Sequence, residues 1–177
     1  TNCTLFFPDL ISNISNNFKS VSIGLSIDGI GSTYEYIRHP GIWNDTQKNI
    51  DQIIKGNNIK PLVHCTVQNL NIGSIGSVIQ WCQEKKLYLQ FEQLTDPSWL
   101  VLTNLPNSLK LKAIDHLSSI PMHSLSDHIK QQIGSYYAQL TESLEKTTNL
   151  DQWKQFQTQI TLRDQHRNNS YQQFLHD

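Results

Sequence analysis

Along the first half of the chain the apolar positions switch between a period of two and a period near 3.6. Val21, Ile23, Leu25 and Ile27 alternate with Ser20, Ser22, Gly24, Ser26 and Asp28. That pattern predicts a strand over 20–27, with branched side chains on one face and small or polar ones on the other. "IKPLVHCTVQ" (59–68) and "LYLQFEQL" (87–94) read as second and third strands, with Pro61 near the beginning of the second. Helical stripes lie between them. Leu10, Ile11, Ile14 and Phe18 form one behind Pro8. "WNDTQKNIDQIIKGN" forms the next, with Asn44 as cap, Gln47 at the capping-box position, Ile50, Ile53 and Ile54 buried, and Gly56 and Asn57 as its end. Ile72, Ile75, Val78, Ile79 and Cys82 form a third. The order is α-β-α-β-α-β, and helical crossovers of this length favour a parallel sheet with right-handed connections.

After Pro97 only the longer period remains. Leu109, Leu111, Ile114 and Leu117 fall in one helix. Leu125, Ile129, Ile133, Tyr136, Tyr137, Leu140 and Leu144 fall in a longer one, and Trp153, Phe156 and Ile160 in another. These stripes read as core. Three parallel strands alone would leave both sheet edges exposed. The expectation is therefore an α/β fold, the C-terminal half of a partial barrel over 1–105, followed by a helical region over 106–177. In a barrel, the face bearing Ser22, Gly24 and Ser26 would line the cavity, with Ser26 and Asp28 near its rim. An antiparallel strand with a solvated face accounts for the alternation equally well.

A chain of 177 residues can bury one sizeable core. Its net charge of −1, with no long run of either sign, argues against nucleic acid or an anionic membrane as the main partner. No apolar stretch is long enough to span a bilayer. Cys3, Cys65 and Cys82 are odd in number, and their spacing fits no disulfide framework, zinc site or iron–sulfur motif, which predicts a reducing, cytoplasmic setting. The histidines form no H-x-x-x-H pair, and no metal ligand is assigned. The opening "TNCTLFF" resembles neither a signal peptide nor a natural start, so the sequence is expected to be the interior of a longer protein.

In parallel α/β barrels the chemistry sits on loops at the C-terminal ends of strands. Here those exits are "SIDGIGSTYEYIR", "TVQNLN" and "FEQLTDPSW", with "TNCT" as a fourth left over from a preceding strand. The first is the most heavily loaded. It gathers Asp28, Tyr34, Glu35, Tyr36 and Arg38 in a chain with few charges.

"SIDGIGSTYEYIRHPGIWNDTQKNI" resembles the fourth-strand region of radical S-adenosylmethionine (SAM) enzymes, in particular the twitch-domain group. Those proteins carry a Ser-Ile-Asp-Gly strand exit, an aromatic-Glu-Tyr-aliphatic-Arg segment and a Trp-initiated helix. "TNCT" is similar to the family's Thr-Asn-Gly-Thr, "VHCTVQNLNIGSI" to its fifth strand and "LQFEQLTDPSWLVLTNLP" to its sixth. "TLRDQHRNNS" resembles a Leu-Asp-x-x-Arg segment near the family's C-terminus. The likeness thus runs in order over nearly the whole chain. It implies that Ser26 hydrogen-bonds the ribose of SAM and that Arg38, twelve positions later, grips its carboxylate through two charge-assisted bonds. It also implies that Val67 and Asn69 border the cofactor, and Asn2 and Asp28 the substrate. The bland alternatives are an Arg38–Glu35 surface pair on one helical turn, Asp28 as a cap of the turn into Gly29, and Tyr34 and Tyr36 as packing.

The sequence departs from the family in three places. It lacks the Cys-x-x-x-Cys-x-x-Cys loop that holds a 4Fe–4S cluster and the Gly-Gly-Glu segment that receives the amino group of SAM, and Cys3 replaces the glycine of Thr-Asn-Gly-Thr. That glycine permits a positive φ. The implied function is the C-terminal portion of a radical SAM enzyme. Its SAM and 4Fe–4S cofactors together generate a 5′-deoxyadenosyl radical that takes a hydrogen atom from a small-molecule or peptide substrate. Its cluster ligands are expected upstream, in a missing N-terminal half that acts as partner, and the isolated chain is expected to be inactive. Two other classes are compatible with parts of the sequence. A nucleotide site on Gly29-Ile30-Gly31 fails because Tyr34 stands where the third glycine of the fingerprint belongs. A non-catalytic half-barrel completing another polypeptide would show an exposed apolar edge at Leu5, Phe6 and Phe7.

Overall fold

A computed structural model of the chain describes residues 1–5, 7–56, 58–146 and 149–175. Phe6 and the Asn57 helix end therefore lie outside the described residues. The elements are α1 (Pro8–Asn17), β1 (Val21–Ser26), α2 (Ser32–Ile37), α3 (Trp43–Ile54), β2 (Ile59–Val67), α4 (Ile75–Lys85), β3 (Tyr88–Gln93), α5 (Asn107–Ser119), α6 (Asp127–Leu144), α7 (Leu150–Arg167) and α8 (Gln172–Leu175). The three strands form one parallel sheet in the order β1-β2-β3. Leu25 lies opposite Val63 and Ser26 opposite His64 in the β1–β2 ladder. The fold is α/β, with each predicted strand placed within two residues of its expected bounds. No helix among the described residues is long and apolar enough to cross a membrane.

The chain forms two compact units, Thr1–Thr66 with Ser77–Glu92, and Val67–Gly76 with Gln93–Asp177. In the first, Leu25 and Ile27, Val63 and Cys65, and Phe91 are buried along the sheet. Ile50 and Ile53 of α3 and Val78, Ile79 and Cys82 of α4 are buried too, as the helical period predicts. Trp43 sits between Tyr34 and Trp81, with ring centroids 5.2 and 5.3 Å away. Helix α1 departs from expectation. It has no buried residue, and Leu10 and Phe18 of its apolar stripe are exposed, as are Leu5 and Phe7 before it. Periodicity defines an apolar face but does not supply an element to cover it.

The second unit is helical. Ile129, Ile133, Tyr136 and Leu140 line the buried side of α6, while Tyr137 is exposed. Phe156 and Ile160 do the same on α7, and Trp153 stacks on Phe156 at 4.7 Å. Ser126 and Asn149 cap these two helices by accepting from the N–H groups of Ile129 and Gln152. The buried side of α5 runs through Lys110, Ala113 and Leu117 rather than through Leu111, which is exposed. Lys110 is turned inward because its Nζ donates to the Ser143 carbonyl at 2.9 Å, in the last turn of α6. The carbonyls there lack helical partners and attract cations.

Candidate functional site

The exit of β1 is built by a sharp turn. A side chain at Gly29 would come within 2.6 Å of Thr33 Cγ2, so only glycine lets α2 start this close to the strand. Two turns of α2 then bury Tyr34 and Tyr36 in the core. The Tyr34 hydroxyl donates to the Asn2 carbonyl at 2.7 Å and accepts from Thr46 Oγ1 at 3.1 Å. Both tyrosines therefore pack.

The charges of this segment each have a defined place. Asp28 is buried, and its Oδ1 accepts the Thr66 N–H of β2 at 2.8 Å. Its Oδ2 lies 2.6 Å from Arg38 Nε. The Nε–H is not aligned with that oxygen, so the contact is an ion pair rather than a directed hydrogen bond. The Arg38 side chain is 30 % exposed against 4 % for Asp28. Arg38 therefore folds back over the strand exit instead of pairing with Glu35. Glu35 Oε1 instead accepts the Trp43 N–H at 2.8 Å. This carboxylate serves the first turn of α3, which Asn44 was expected to cap; the helix starts at Trp43 with no side-chain cap from its own N-cap residue. The negative charge also suits the positive end of the helix.

The "TNCT" loop lies on the free side of β1. Thr1 N donates to the Gly24 carbonyl at 2.8 Å, and Ser26 N donates to the Thr1 carbonyl at 2.7 Å. This is the hydrogen-bond pattern of a parallel bridge. Cys3 follows with φ of 59° and is fully buried. The position where the resemblance puts glycine is thus left-handed here with a cysteine in it. Asn49 Nδ2 holds the Cys3 carbonyl at 2.9 Å. Asn2 is exposed, and its side chain accepts from Thr4 Oγ1 at 3.0 Å. Ser26 is half-buried at the end of β1.

Val67 and Asn69 belong to the second unit, where both are buried. Asn69 donates through its backbone N–H to the Leu100 carbonyl and through Nδ2 to the Trp99 carbonyl, each at 3.0 Å. Its Oδ1 is buried without a hydrogen-bond partner among the described residues.

The three cysteines are free and buried. Burial pushes the Cys3 thiol up to about 11 and the Cys82 thiol up to about 12. Cys65 is raised as well, by burial and by the nearby Asp28 charge. Burial thus favours the neutral thiol in all three. Among the described residues no group of three or more His, Cys, Asp or Glu could hold a metal ion.

The sequence alone does not reveal the partners of Arg38 and Glu35, nor the contact between His64 Nδ1 and Glu92 Oε1 at 2.7 Å. The pattern held one signal for the latter: His64 and Glu92 both fall on the polar phase of their strands. Pairing them requires the register, which no single strand reveals.

Comparison with family models, with curated proteins and with solved structures finds no match to this chain.

Proposed function

We propose that the first unit supplies the SAM-carboxylate side of a radical SAM enzyme built on a partial (β/α)6 barrel. The observation that carries this reading is the placement of Arg38. Its Nε edge rests on Asp28, and no protein group among the described residues hydrogen-bonds its terminal amino groups. A guanidinium held on one side by a counter-charge presents its terminal amino groups to an external carboxylate. Asp28 then acts as the support of Arg38, itself fixed by the Thr66 N–H, while the Ser26 hydroxyl offers a hydrogen bond to a ribose. The parallel bridge at Thr1 is what a further barrel strand beside β1 would make. The roles of Val67 and Asn69 rest on the sequence resemblance alone, as does that of Asn2.

When bound, SAM with a 4Fe–4S cluster supplies hydrogen-atom abstraction, and the protein contributes binding and orientation. The cluster ligands belong, in this reading, to an N-terminal half outside the given sequence, and the substrate is a small molecule or peptide. We place the protein in the cytoplasm, where buried free thiols persist. A second reading, a non-catalytic half-barrel completing another polypeptide, is favoured by the exposed Leu5, Phe7 and Leu10. Titration of the 15N-labelled chain with SAM separates the two. Saturable shifts at Ser26 and at the Arg38 Nε–H support the enzyme reading. No shifts at millimolar SAM would leave the half-barrel.

A further inference from the structure

The sheet face that carries Ser26 holds a second arrangement, independent of SAM. In the β1–β2 ladder Ser26 lies beside His64 and Gly24 beside Leu62. Parallel register puts such neighbours on one face. His64 Nδ1 contacts Glu92 Oε1 of β3 at 2.7 Å, so Ser26, His64 and Glu92 form a row across the three strands. The imidazole lies back over Gly24, where an added Cβ would stand 3.2 Å from its Cδ2 and 3.3 Å from its Nε2. A glycine in mid-strand weakens the strand and often marks a close approach. Here it makes room for the ring.

The chemistry follows from the contact. A carboxylate only accepts hydrogen bonds, so Nδ1 carries the proton and neutral His64 has its lone pair on Nε2. No protein group among the described residues takes Nε2. The two side chains are 32 % and 49 % exposed, so the pair is open to a ligand rather than sealed in the core. A cross-strand pair that merely stabilised the sheet would need neither a bare Nε2 nor a cleared glycine beneath it.

We propose that His64, oriented by Glu92, is the proton acceptor of a ligand site on this face, for a small molecule presenting a hydroxyl group above Gly24. In the transfer the ligand O–H bond breaks, its electron pair stays on oxygen, and the proton forms an N–H bond at Nε2. The imidazolium so formed is stabilised by the Glu92 carboxylate at Nδ1–H, the orienting role a carboxylate plays towards a general base.

Diethyl pyrocarbonate, which acylates unprotonated imidazole nitrogen, tests the site on the full chain at neutral pH, with peptide mass mapping of each histidine. The expected result is that His64 reacts several-fold faster than His39 and His123, which are exposed. Glu92→Gln should slow His64 several-fold and leave His39 and His123 unchanged. Since Glu92 is on the surface, this variant is expected to fold, and its unfolding midpoint checks that. A His64 rate at or below those of His39 and His123, or one unaffected in a folded Glu92→Gln variant, overturns the proposal. Neither result bears on SAM binding at Arg38.

Discussion

Arg38 and Asp28, ten residues apart along the chain, meet at 2.6 Å over the exit of β1, and the same carboxylate holds β2 through the Thr66 N–H. One buried acid thus ties a strand exit, its neighbouring strand and the end of α2 together. This relationship explains why so much charge is concentrated in a segment of an otherwise charge-poor chain.

Removing either partner leaves the other without its counter-charge. Asp28→Asn should lower stability by about 1.5–3 kcal/mol, the usual worth of hydrogen bonds to charged groups, read from urea unfolding. Arg38→Gln should cost less, because Arg38 is partly exposed. The double variant should cost less than the sum, with a coupling of about 0.5–3 kcal/mol. Additive losses would mean that the two side chains do not depend on each other.

Cys3 gives a reversed ranking. Its φ of 59° suits glycine, and a residue with a Cβ is penalised there by roughly 1–2 kcal/mol. Cys3→Gly should therefore be at least as stable as Cys3→Ala, although alanine keeps more buried carbon. Thermal unfolding of both variants checks the order, and a clearly more stable alanine variant would show that the loop is not left-handed at this position.

His116 sets a pH dependence in the second unit. Its Nε2 accepts the Gly76 N–H at 3.2 Å, in the first turn of α4. Burial holds its pKa below the ordinary histidine range, partly opposed by Asp115. The unfolded chain takes up this proton at about pH 6.5, before the folded chain does. Stability is therefore intact above that pH and is lost as pH falls from there through the lowered folded value. Urea midpoints at pH 7, 6 and 5 should fall more steeply for the wild type than for His116→Gln. Parallel slopes would remove His116 as the cause.

The three thiols are buried and protonated, whereas cluster ligation requires thiolates. After anaerobic reconstitution with iron and sulfide, the chain alone should hold no stoichiometric 4Fe–4S cluster and release no 5′-deoxyadenosine from SAM. Cluster together with turnover would show that ligands exist within this sequence.

The strands were legible because β1 keeps a clean period of two and β2 and β3 nearly so, broken at Leu62 and Tyr88, and their parallel order followed from the helices between them. The partners within the site were less legible. Glu35 lies three residues before Arg38, the spacing of an ion pair on one helical turn, which the sequence alone leaves open. But α2 ends at Arg38, which turns back to the strand while Glu35 faces the start of α3. On α5, hydrophobicity pointed to Leu111, whereas the buried side includes Lys110, whose amine finds a helix-end carbonyl. On α1 the stripe is apolar, but nothing in its own sequence states whether it is covered. In each case the missing information was tertiary: a register, a chain direction or a partner element.

The central claim is that Arg38, braced by Asp28, receives the carboxylate of SAM. Isothermal calorimetry with SAM on the wild-type chain, Arg38→Ala and Arg38→Lys tests it directly. Arg38→Ala should weaken binding by roughly 1.5–3 kcal/mol. Arg38→Lys should recover only part of that, because an ammonium lacks the planar fork. Equal affinities in all three proteins, or no SAM binding by the wild type, would contradict the account and leave Arg38 as the structural partner of Asp28.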